Sequence, residues 1–265
     1  LIPRVKELGL DFIEIPLMCL ETYHAEKVRA GLVKYELDAC ASTVLLGNTD
    51  ITSKDPEIRK KGIKYLKSCI DACIDTGIKQ FSGVIYSEHV KQVSGRPQAL
   101  DWDYSADSLR EVARYANKSS IKIGLEPVNR YETYLVNTCE QALRLKKMIG
   151  EDNVGIHLDS YHMNIEEKNF YNATKLAGSD LMHYHFCEND RGIPGTGLVD
   201  WNGIFKALKD INYTGYAALE SFIDCTGNMN TWVWRQLAES GDDLVKKGLS
   251  FIRDMIKKYN LNRHA

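Results

Sequence analysis

Glu126 in the run IKIGLEPV, Asp159 in VGIHLDS, His185 in MHYHFCE and Glu220 in YAALESF are four metal-ligand residue types, each at the carboxyl end of a strand-like run. Three carboxylates and one imidazole make a hard, oxygen-rich donor set, suited to Mn²⁺, Mg²⁺ or Co²⁺ more than to a structural zinc. An ion held there polarises a carbonyl and stabilises the enediolate left when a neighbouring C–H proton is removed, with a carboxylate as the base. The four are separated by 33, 26 and 35 residues. Each separation is about one strand-plus-helix unit, so a parallel barrel brings all four to one rim.

Singly, each residue has a plainer role. Glu126 could pair with Arg130, Asp159 could cap the helix that follows it, and His185 could be a hydrogen-bonded core histidine. Their joint occurrence at four successive strand ends favours shared coordination, which also removes the penalty of burying Glu220 alone. His183 and His185 alternate along one strand and share a face, with His185 nearer the rim as the ligand and His183 behind it. His162, three residues past Asp159 on the loop side, is placed to reach a substrate hydroxyl. The stretch from Glu188 to Gly197 (ENDRGIPGTG) is too polar and glycine-rich for core and reads as a binding loop carrying Arg191. Gly195 and Gly197 do not make a phosphate cradle, because no helix follows them directly.

The elements that must position these residues alternate between strand-like and amphipathic helical runs, the pattern of an α/β parallel sheet. Seven strands are predicted, at 11–17, 36–43, 80–86, 122–128, 154–160, 182–188 and 216–222. Asp55 and Pro56 open a long helix that Gly77 can close, and Thr138 with Gln141 makes a capping box. Ile204, Ala207, Leu208 and Ile211 form a stripe of helical period, and the last helix runs from about Leu244 to Tyr259. An eight-stranded barrel needs one more strand, and the opening LIPRVKELGL reads as the second half of a helix. The first strand is therefore expected to be absent, with the chain starting some twenty residues into a longer protein, an estimate from the length of one strand and half a helix.

At 265 residues and 44% hydrophobic, the chain fits a single domain spanning 1–265, of the length of a (β/α)8 TIM barrel. With 34 basic and 36 acidic residues the formal charge is −2, so no general field draws nucleic acid or anionic membrane. No apolar run approaches the roughly 20 residues of a spanning helix, and no signal peptide opens the chain, which reads as cytoplasmic. The seven cysteines are odd in number and never in Cys-x-x-Cys spacing, against a disulfide framework or a thiolate zinc site.

The segments GLEPVNRYETYLVNT, VGIHLDSYHMNIEE, HFCENDRGIPGTG and ALESF together resemble the D-tagatose/D-psicose (allulose) 3-epimerase group of the xylose-isomerase-like sugar epimerase and isomerase superfamily. The resemblance implies one Mn²⁺-like ion bound by Glu126, Asp159, His185 and Glu220 in a (β/α)8 barrel. It also implies that Glu126 and Glu220 exchange the C3 proton of a free ketose through a cis-enediolate, and that Glu132, His162 and Arg191 hydrogen-bond the sugar's O1 to O3 region. Such proteins are commonly homodimers or homotetramers. The stretch GVIYSEHVKQ departs from the pattern, lacking the tryptophan that several members place over the sugar. The expected substrate is an unphosphorylated ketose such as tagatose, psicose, fructose, sorbose or a ketopentose. An aldose–ketose or inosose-type isomerase on the same centre is the alternative within the fold. A nuclease of the endonuclease IV type needs more histidines and a basic face, and a non-catalytic sugar-binding module is open to the fold alone.

Overall fold

The computed structural model describes residues 1–223 and 232–261. By internal packing the chain falls into two compact units, Leu1–His157 and the residues from Leu158 on. The first holds α1 (Ile2–Glu7), β1 (Phe12–Pro16), α2 (Ala25–Tyr35), β2 (Asp38–Leu45), α3 (Pro56–Thr76), β3 (Gln80–Glu88), α4 (Ala99–Asn117), β4 (Lys122–Leu125), α5 (Cys139–Ile149) and most of β5 (Val154–Asp159). The second continues with α6 (Ser160–Glu166), α7 (Phe170–Ala177), β6 (Leu181–Phe186), α8 (Trp201–Asp210), β7 (Tyr216–Leu219) and α9 (Gly241–Tyr259). In the first unit β1 to β5 pair in chain order, all parallel. In the second β6 pairs parallel with β7.

The helix signals act as expected. Asp55 accepts from the Glu57 N–H at 2.8 Å, Pro56 takes the first turn, and Gly77 at φ 88° closes α3. Leu66, Cys69, Ile70 and Cys73 bury one stripe of that helix, so the two thiols pack as small apolar groups. Thr138 and Gln141 form the capping box of α5. Ile204, Ala207 and Leu208 are the buried stripe of α8, joined by Trp201 and Phe205. Strands β5 and β6 are buried at every residue, as parallel strands covered on both faces are. No described helix is long and apolar enough to cross a membrane.

All seven predicted strands are found, each with a boundary shifted by one to three residues, and three of the shifts bear on the site or have a clear local cause. β2 begins two residues late because Glu36 takes a left-handed conformation at φ 48° that ends α2, its N–H bonded to Leu32 and Val33 carbonyls. β4 ends at Leu125, two residues before Pro127, which has no N–H to continue a ladder. β7 ends at Leu219. Glu126 and Glu220 therefore stand just past their ladders.

Gly83 sits where β3 passes closest to β2. At φ 126°, a Cβ there would lie 2.1 Å from the Thr43 carbonyl oxygen. Its own carbonyl accepts from the Glu126 N–H at 3.2 Å, so this close approach also fixes the exit of β4. Gly83→Ala is expected to cost about 3 kcal/mol or more through combined strain and overlap, read as a lower urea midpoint.

Asp50, beyond β2, is buried and ties that exit to the exit of β3. Its Oδ1 accepts from the N–H of Thr52 at 2.9 Å and of Glu88 at 3.1 Å, while Oδ2 takes Lys91 Nζ at 2.6 Å. Burial works against ionisation, but Lys91 and Thr52 outweigh it and hold the carboxyl below its usual range. A depressed folded-state value means stability present above the unfolded value of about 4 and lost as pH falls through the folded one. Asp50→Asn should therefore cost about 2–4 kcal/mol at pH 7, and the gap to wild type should close as denaturation is repeated from pH 5 down to pH 3.

Candidate metal and sugar site

In the second unit, Asp159 ends β5 and divides its carboxylate between two tasks. Oδ1 accepts from the Tyr161 N–H at 2.7 Å and caps α6, while Oδ2 accepts from Arg191 Nη1 at 2.7 Å. The plain capping role and a functional one thus share one side chain. His185, one residue before the end of β6, places Nδ1 3.0 Å from Glu220 Oε2 and 3.9 Å from Asp159 Oδ2. Asp159 and His185 are buried, and the Glu220 side chain is one third exposed at 33%. Arg191 is the cation both carboxylates share, since the same Nη1 lies 2.6 Å from Glu220 Oε2. Its Nη2 meets His162 Nε2 at 3.0 Å, and its guanidinium lies 4.2 Å from the Tyr161 ring centre. Burial opposes ionisation of Glu220, but Arg191 and then His185 overcome it and hold the carboxyl down at about 2.

Asp159, His185 and Glu220 form a candidate metal-binding group. Bonds of about 2.0–2.2 Å to a divalent ion set neighbouring donors about 3 Å apart. The His185–Glu220 spacing of 3.0 Å is of that size, and the His185–Asp159 spacing is wider at 3.9 Å. Two carboxylates and one imidazole, with no thiolate donor among them, suit Mn²⁺ or Mg²⁺. His183 is fully buried behind His185, their rings 4.9 Å apart and edge to face. His162 lies in the first turn of α6 rather than in a loop, because the helix begins directly at Ser160.

In the first unit, Glu126 is 7% exposed and its Oε2 lies 3.7 Å from His157 Nδ1. Arg130 is exposed. Glu132 is held at both oxygens, Oε2 by His89 Nε2 at 3.0 Å and Oε1 by Asn129 Nδ2 at 2.8 Å.

Residues 2–255 match the model of a family described as xylose isomerase-like TIM barrel. The chain belongs to that family. Its fold is accordingly the family's parallel (β/α) barrel, seven strands of which lie among the described residues. Among its relatives is a ketose 3-epimerase of Arthrobacter globiformis, 35% identical over 96% of this chain and 89% of the relative. An L-ribulose 3-epimerase of Methylomonas sp. is 37% identical over 92% of this chain and 87% of its own. Among solved structures, a D-allulose 3-epimerase from Methylomonas sp. superposes with TM-score 0.92 at 36% identity, covering 96% of this chain and 90% of that one.

Within this family member, Glu188 is the buried group that residue types alone did not single out. It is fully buried, one residue beyond Cys187 at the exit of β6. Oε1 accepts from Gly195 N–H at 2.7 Å and Trp201 Nε1 at 2.6 Å, and Oε2 from Asn189 N–H at 3.2 Å and Val199 N–H at 3.3 Å. One carboxylate therefore folds the whole loop that carries Arg191. Trp201 is itself anchored by rings, 5.5 Å from both Phe186 and Phe251. The sequence signal was present only as a carboxylate at an apolar strand exit before a glycine-rich stretch. Glu188→Gln puts an NH₂ against N–H donors, so it should cost about 2 kcal/mol and open the loop to limited proteolysis between 188 and 199, read by mass mapping.

Proposed function

We propose that this protein is an isomerase-class enzyme that epimerises free ketoses at C3, using one divalent ion, Mn²⁺ by preference, held by Glu126, Asp159, His185 and Glu220. The observation that carries the reading is the convergence of Asp159 and Glu220 on Arg191, with His185 Nδ1 beside both carboxylates, in a chain whose 35% identical relative is a ketose 3-epimerase. Glu126 joins the set on its place directly after β4 and on the motif GLEPVNRYE. A solved relative carries D-allulose, which supports a ketose as the ligand class. One family match over residues 2–255 supports reading the chain as one domain. The resemblance supports a cytoplasmic homodimer or homotetramer.

When bound, the ion polarises the C2 carbonyl and offsets the charge that develops on oxygen as the C3–H bond breaks. The chain's own groups move the proton. An ionised glutamate takes hydrogen from C3 as a proton, the electron pair passes into the C2–C3 bond, and the other glutamate, protonated, returns a proton to the opposite face. Glu220, held ionised beside Arg191, suits the first role in one direction, and Glu126 takes it in the other. Arg191 steadies negative oxygen, while Glu132 and His162 accept and donate to hydroxyls and so fix the sugar's orientation.

The test is metal-stripped protein incubated in D₂O with a panel of free ketoses, with and without Mn²⁺, and followed by NMR. A C3 epimer carrying deuterium at C3, formed only with metal, is the expected result. Glu126→Gln and Glu220→Gln should each lower kcat by about 10²–10⁴. An aldose product would shift the reading to isomerisation. No exchange at C3 by folded, metal-loaded protein would sink it.

A further inference from the structure

The exit of β3 carries a cluster that the proposed reaction does not yet use. Glu88, His89, Val90 and Lys91 leave the strand as a short turn that is tied down at every residue. The Glu88 N–H and the Lys91 ammonium both bind Asp50, at 3.1 and 2.6 Å. The His89 N–H donates to the Leu45 carbonyl at 2.8 Å, and the Val90 N–H to the Glu132 carbonyl at 2.7 Å. Val90 is held at φ 56°, a left-handed conformation that a β-branched side chain rarely adopts. Strain of this kind persists only where the surroundings over-determine it, and it gathers at functional sites.

What the turn achieves is the placement of one ring. His89 Nε2 lies 3.0 Å from Glu132 Oε2, with side chains only 18% and 13% exposed. An ionised carboxylate accepts and does not donate, so Nε2 carries the hydrogen. On the other oxygen Asn129 Nδ2 donates at 2.8 Å, and Asn129 is itself fixed because its Oδ1 accepts from the Tyr131 N–H at 2.9 Å. The carboxylate plane of Glu132 is therefore set from both ends. Each oxygen of a carboxylate can accept more than one hydrogen bond, so a tethered carboxylate is an oriented acceptor for sugar hydroxyls.

We propose that His89 is a positioning residue for the sugar: its Nε2–H fixes the rotamer of Glu132, and the strained Val90 turn exists to hold that ring in place. The inference rests on the ketose reading above for what Glu132 binds. It assigns a substrate-orienting role to the stretch SEHVKQ.

Geometry supplies the test. The amide nitrogen of glutamine can take the place of Nε2, whereas that of asparagine takes the place of Nδ1. His89→Gln should keep the ketose KM within about threefold of wild type. His89→Asn should raise it by about 10-fold, the loss of one charge-assisted hydrogen bond, with a smaller change in kcat. In an E132A background, which removes the acceptor, His89→Asn should add nothing further. Equal impairment of both His89 variants, or a His89→Asn effect that adds fully to E132A, would overturn the proposal, because a merely structural turn predicts either. Should His89→Asn fail to fold, wild-type protein still decides: with Mg²⁺ bound and ¹⁵N-labelled histidine, the His89 resonance, assigned by its loss in His89→Gln, should report the Nε2–H tautomer and shift on adding a ketose. No shift at saturating ketose overturns the proposal, and because this reads binding without turnover, it is separate from failure of the epimerase reading.

Discussion

The second unit is organised around one guanidinium. Asp159 and Glu220 aim carboxylate oxygens at Arg191 Nη1 from 2.7 and 2.6 Å, and two like charges so close to one point, one of them buried, are tolerable only with a cation between or beside them. Arg191 suits that role because its planar fork reaches two carboxylates and an imidazole together while its face lies against Tyr161. A lysine presents a single charged nitrogen and no stacking face, so it could not make the same set of contacts. The same balance keeps Glu220 ionised, which a base must be before it can take a proton.

Everything around Arg191 serves to deliver it there. Its N–H donates to the Glu188 carbonyl at 3.0 Å and its carbonyl accepts from the Phe222 N–H at 2.9 Å. Ser221 Oγ adds a bond to the Gly192 carbonyl at 2.8 Å. The exit of β7 and the loop after β6 are thus stitched together, so Glu220 and Arg191 move as one body. Glu188 holds that loop from within by four N–H donors, and Trp201 ties Glu188 to the aromatic packing against β6 and α9. The chemistry-bearing side chains depend on a buried carboxylate that touches none of them.

How much of this was legible in the sequence follows from what each signal encodes. The long helices were, because Asp55, Gly77 and Thr138 each satisfy orphan backbone groups locally and need no tertiary context. The places of Asp159 and His185 at the exits of β5 and β6 were, because a polar residue type closing an apolar run marks where a strand leaves the core. The boundary at Glu36 was not: a left-handed non-glycine residue leaves no compositional trace, and only the bonds to Leu32 and Val33 reveal it. Nor was the helical setting of His162, since an aspartate that both ends a strand and caps a helix removes the loop expected between them. Glu188 and His89 were hidden for a different reason. Their partners lie in backbone N–H groups and in a residue 43 positions away, and spacing within a motif says nothing about either.

Left-handed backbone falls both on residues that end elements and on two that stand at the site. Among the described non-glycine residues with positive φ, Glu36 and Asn260 close helices, where a left-handed residue satisfies free carbonyls and is common. Val90 and Arg191, like Trp232, close no helix. Each holds a conformation that costs of order 1–3 kcal/mol, and each is offset by bonds made on both sides of it, Asp50 and Glu132 around Val90, Glu188 and Phe222 around Arg191. Val90 and Arg191 stand beside, or themselves supply, a side chain aimed at a carboxylate: His89 at Glu132, and Arg191 at Asp159 and Glu220. A fold that keeps strain there spends stability on orientation, and for a substrate made almost wholly of hydroxyls, orientation is what distinguishes one carbon's proton from the next.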